Sequence, residues 1–105
     1  MPSELSVQAI QKGPMEFAIT DGEHEVTIDY PLPGTPGADG DMRGMTPLRL
    51  LLASLAGCSG SSVAVLLRRD GEPVERVEVA ARGRRRDEHP TVITDIDLAF
   101  TVVGD

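Results

Sequence analysis

A chain of 105 residues with a net charge of −7 is the size of one domain, and its acidity argues against general nucleic-acid binding, which needs cations to displace phosphate counterions. Aromatic residues make up only 3%, so aliphatic packing must supply most of the stability from a core that is thin at this length, and association with another chain is favoured. A single cysteine excludes an internal disulfide and therefore a disulfide-stapled secreted scaffold.

The N-terminus, Met1 to Gln11, has no charged start, apolar run and cleavage site of a signal peptide, so the expected location is the cytoplasm. Around residues 4–10, Leu5, Val7 and Ala9 alternate with polar residues as in a half-buried strand. Met15, Phe17 and Ile19 share one face of a second strand, and Val26, Ile28 and Tyr30 one face of a third. Asp21-Gly22 between them is a two-residue hairpin signal, because both residue types tolerate positive φ. Pro31 to Met45, with Gly34, Gly37, Gly40 and Gly44 among three prolines, reads as a long irregular loop.

Thr46-Pro47 then opens a helix: Thr suits the cap, and proline at the first helical position loses no hydrogen bond. The helix is expected to end near Arg68-Arg69, whose charges complement the negative helix terminus, with Gly71 and Pro73 closing it. Two strands follow, one alternating at Val77 and Val79, the other at Ile96, Leu98, Phe100 and Val102. The predicted fold class is α+β, in the order β-β-β-α-β-β, as a single domain over 1–105 with no repeats.

That helix determines most of the reading. Leu48, Leu52, Leu55, Ser59, Val63 and Leu66 fall on one stripe, while the other side carries the small or apolar Leu50, Ala53, Gly57, Gly60 and Ala64. A helix apolar all round has to be covered all round. The chain's own strands cover one side, and with no second amphipathic helix in 105 residues, a second copy of the chain is the expected cover for the other. Leu50 to Leu67 is uncharged and just reaches spanning length, but six of its residues are Ser or Gly and acidic strand-like segments flank it, so no membrane association is expected.

Cys58 lies on the flank between the two faces, with Ser54, Ser61 and Ser62 one turn away. A buried helical cysteine is commonly a small hydrophobe, whereas a reactive one needs a nearby cation to hold its thiolate. Arg49 is nine positions away, about 14 Å along the axis and on the far side, so it reaches Cys58 only from a partner chain. Arg43, in the loop, is the better candidate cation, and Lys12 a weaker one.

The stretch GMTPLRLLLASLAGCSG, Gly44 to Gly60, resembles the OsmC/Ohr family of thiol peroxidases and their redox-protein relatives, in which a helix-opening Pro is followed eleven positions later by a Cys, here Pro47 and Cys58. The hairpin ITDGEHEVTIDYP, the segment VERVEVAARG and the strand HPTVITDIDLAFTVVG extend the resemblance over nearly the whole chain. It implies an intertwined homodimer whose sheets wrap two central helices, with a cysteine site at the dimer interface. It implies that Cys58 attacks an organic hydroperoxide and becomes a sulfenic acid, which a second cysteine and then an external thiol reduce, with no metal or organic cofactor.

Three departures qualify that inheritance. The second cysteine of the family sits in a further C-terminal helix, and this sequence stops at Asp105 without either, so at most a one-cysteine cycle is expected. The family's glutamate after the helix-opening Pro is Leu48 here, and the position after that, glutamate in the redox-protein branch, is Arg49. The thiolate-activating arginine before the first hairpin has no counterpart in QKGPME except Lys12. The alternative reading is therefore a non-catalytic binding or scaffold dimer that has kept the fold and could hold a small apolar ligand.

Other groups point to solvated roles. His24, between Glu23 and Glu25, is expected on a strand in solvent, and neither it nor His89 has metal-ligand spacing. Arg82 and Arg84 to Arg86 read as a solvated hairpin tip, and Asp95 and Asp97 as the wet face of the last strand. Asp39 and Asp41 lack the rest of a calcium loop.

Overall fold

The computed structural model describes residues 3–30, 42–87 and 92–104, in the order β1 (Gln8–Gln11), β2 (Phe17–Thr20), β3 (Glu25–Ile28), α1 (Pro47–Arg69), β4 (Val74–Arg85) and β5 (Ile93–Gly104). Most of the loop expected over 31–45, with Asp39 and Asp41, lies outside the described residues, as does His89. The chain forms two compact units, Met1–Leu50 and Leu51–Asp105.

The first unit is an antiparallel meander in the order β1-β2-β3. Its register pairs Phe17 with Ile28 and Ile19 with Val26, so the alternating apolar residues read from the sequence share one face. Ala18, opposite Ile10 and Thr27, occupies the other face and is the buried apolar side chain among the described residues. The first strand is shorter than expected: residues 3–7 precede it, exposed and outside any strand. Leu5 and Val7 alternate there, but alternation alone cannot make a strand without a neighbour to bond.

The β2–β3 turn corrects one expectation. Gly22 takes positive φ, at 103°, but Asp21 does not. Asp21 acts through its carboxylate, which accepts the amides of Glu23 and His24 at 2.9 and 2.7 Å, as an Asx turn. His24 accordingly sits in the turn rather than on a strand, fully in solvent, with Nδ1 3.9 Å from the Asp21 carboxylate. The amide of His24, then that of Glu23, holds the Asp21 carboxyl below its ordinary 3.8. A depressed native pKa contributes stability above the unfolded value and loses it as pH falls through the native one. Replacing Asp21 with Asn should therefore lower stability more at pH 7, where the carboxylate contribution is fully present, than at pH 3, where it is being lost, and so flatten the acid fall of the profile, as read by urea titrations at the two pH values.

Asp29, just past β3, ties the far end of the glycine loop to the sheet. Its amide donates to the Met45 carbonyl at 3.1 Å, and its carboxylate accepts the amide of Arg43 at 3.2 Å and that of Tyr30 at 2.8 Å. Met45 also bridges Ile28 in parallel.

The helix begins and ends where its local signals place it. Arg68 and Arg69 occupy the last turn. Gly71 has φ of 73°, its amide donates to Arg68 at 3.1 Å, and the Glu72 amide donates to Leu67 at 3.0 Å. These are the two reverse bonds of a Schellman motif. Substituting Gly71 with Ala forces a Cβ into the left-handed region and should cost about 1 kcal/mol, measurable by chemical denaturation.

In the second unit α1 packs on the β4–β5 hairpin. Cross-strand partners Val77–Val102, Val79–Phe100 and Ala81–Leu98 put their side chains on one face. Helix and hairpin approach closely at a glycine on each side: a Cβ on Gly60 would stand 3.0 Å from Val79 Cγ2, and one on Gly83 of β4 would stand 3.1 Å from Leu52 Cδ2. The half-buried stripe therefore runs through Leu52, Ala56, Ser59, Gly60, Val63 and Leu67. This differs from the expected stripe at Leu55 and Leu66, which are exposed, and at Gly60, which was expected on the opposite side. A helix apolar all round gives no periodic preference, so close approach at a residue without a side chain decides its rotation. Gly60→Val should push the hairpin away and cost about 1–3 kcal/mol, visible as a lowered thermal midpoint.

The arginine cluster is solvated as expected, but only Arg86 lies beyond the strand: Arg82, Arg84 and Arg85 belong to β4, whose ladder with β5 runs on to Arg85–Ile93. Arg82 and Arg84 lie within β4 opposite Asp97 and Asp95, and Arg84 approaches Asp97 at 4.0 Å. Asp95 and Asp97 are exposed, as expected of a solvated face.

Candidate functional site

Cys58 is a free, exposed thiol in the middle of α1. It does not lie on a flank, as expected, but on the side opposite the hairpin-facing stripe. Leu51 and Val65 stand seven positions before and after it, hence on the same line of the helix, and Leu55 is one turn away. All three are exposed. The thiol thus sits on an exposed face that carries these apolar residues together with Ser54, Ser61 and Ser62.

The neighbouring hydroxyls are present, but their protons are engaged. Ser54 donates to the Leu51 carbonyl at 2.8 Å, Ser61 to Gly57 at 2.8 Å and Ser62 to Cys58 at 3.1 Å. Serine in a helix commonly bonds back in this way. The three hydroxyls satisfy themselves within the helix and allow it to be covered by apolar surface at little polar cost, whereas a thiolate would have to compete with those carbonyls for their protons.

The three candidate cations are distributed as follows. Arg49 is exposed on α1 itself, nine positions before Cys58. Lys12 is exposed in the first unit, with its backbone amide donated to the Glu16 carbonyl at 2.8 Å. Arg43, also of the first unit, places Nε 3.9 Å from the Glu16 carboxylate, while its amide is held by Asp29. Glu16 and Asp29 are residues that sequence reasoning did not assign to Arg43. The pair with Glu16 is largely solvated on the arginine side and contributes little to stability. Among the described residues no cluster of three or more His, Cys, Asp or Glu side chains could hold a metal ion.

Helix α1 is also long and apolar enough to cross a membrane, by length and composition. The comparisons with known proteins give it another context. The family model of OsmC-like proteins matches residues 38–105, which includes the whole of α1 and the hairpin after it.

This chain belongs to the OsmC-like family. Protein YhfA of Escherichia coli strain K12 is 31% identical over 81 residues, covering 77% of this chain and 54% of YhfA, and Protein YhfA of Shigella flexneri gives the same figures. The chain therefore spans about half the length of these curated relatives. Two solved structures share its fold: a hypothetical protein from Aquifex aeolicus VF5, with a TM-score of 0.79, 22% identity and coverage of 96% of this chain and 67% of that one; and an OsmC-like protein from Mycoplasma pneumoniae, with a TM-score of 0.77, 16% identity and coverage of 97% and 70%. The α+β class read from the sequence is thus the fold of the OsmC-like family, with a three-stranded antiparallel sheet, one long helix and a two-stranded sheet.

Proposed function

We propose that this chain is an OsmC-like redox protein in which Cys58 reduces organic hydroperoxides, at most as a one-cysteine enzyme, and that residues 1–105 act as one OsmC-like domain. The observation that carries this reading is the exposed thiol at the centre of α1, flanked by Leu51, Leu55 and Val65, which suits a substrate with an alkyl tail. The thiolate sulfur attacks the outer peroxide oxygen. The O–O bond breaks, an S–O bond forms, and the alkoxide takes a proton and leaves as the alcohol. The resulting sulfenic acid condenses with an external thiol, releasing water, and a second external thiol frees Cys58 and leaves as the disulfide. No metal or organic cofactor enters this cycle. Steady-state consumption of an alkyl hydroperoxide with a dithiol reductant, compared between the protein and its Cys58→Ser variant, tests it. Equal rates in the two overturn it.

In the same reading a second copy of the chain covers the exposed side of α1, the helix is a core helix and not a membrane span, and the protein works in the cytoplasm. Arg43, Arg49 and Lys12 are the candidates for holding the thiolate, with Arg43 or Arg49 supplied by the partner chain.

The second reading is a dimeric OsmC-fold scaffold or apolar-ligand binder without peroxide chemistry. It is favoured by the engagement of Ser54, Ser61 and Ser62 with helix carbonyls and of Arg43 with Glu16, which directs these groups to partners other than the thiol. Under this reading Cys58→Ser is indistinguishable from the parent in every redox assay.

A further inference from the structure

We draw no further inference here: the strongest candidate, the exposed apolar strip of the long helix at Leu51, Leu55, Val65 and Leu66, belongs to the dimer surface already proposed, and nothing in the structure shows what covers it.

Discussion

One equivalent of an alkyl hydroperoxide is expected to add a single oxygen, about 16 Da, to Cys58, trapped by a sulfenic-acid-specific dione and absent from Cys58→Ser. An exposed thiol is accessible to the oxidant, and sulfenic acid is the first stage of its oxidation. The 105 residues hold no other cysteine to condense with it. A tenfold excess of peroxide without reductant should therefore carry Cys58 on to the sulfinic and sulfonic forms, about 32 and 48 Da above the starting mass. With a small dithiol present from the start and one equivalent of peroxide, the sulfenic acid should instead be reduced and the protein return to its initial mass. If Cys58 is no more reactive than a free cysteine-containing peptide, the peroxide reading falls and the scaffold reading takes its place.

The second large effect concerns association. Sedimentation at micromolar concentration should give a species of twice the chain's 11.2 kDa, and the double substitution Leu51→Glu with Val65→Glu should return it to the single-chain mass. Each glutamate would place an unpaired carboxylate where an apolar contact is expected, a change that weakens association on the order of 100- to 1,000-fold or more. Neither residue belongs to the half-buried stripe against the hairpin. The variant should therefore keep its far-ultraviolet helical signal, which separates loss of the interface from loss of the fold. A parent protein that sediments as a stable monomer overturns the dimer outright.

Local signals were legible because local physics produces them. Pro47 at the first helical position, Arg68 and Arg69 in the last turn and Gly71 at the left-handed closing position define α1 from its own residues. The period-2 runs Val77-Val79 and Ile96-Leu98-Phe100-Val102 turned up on one face of one hairpin, because alternation fixes which side a residue faces once the strands pair. The turn at Asp21 was legible as a turn but not in its mechanism. An Asp-Gly pair serves either by adopting positive φ or by accepting amides through its carboxylate, and only the latter operates at Asp21. The arginine cluster was legible as solvated but not as mostly strand, for a related reason: charges in sequence mark solvent, and a strand with one wet face carries them as readily as a tip does.

The sequence by itself determined that this protein has one long apolar helix bearing a lone cysteine, that strands flank it, and that its pattern is that of the OsmC-like family. Tertiary structure alone decided the helix's rotation. With apolar residues on every side the periodicity carries no direction, so the close approach of Val79 at Gly60 turns Leu52, Val63 and Leu67 toward the hairpin and leaves Cys58 facing outward. It also decided that Arg43 lies beside Glu16, with its amide on Asp29, because those carboxylates are brought to it by the sheet and not by neighbouring positions in the chain.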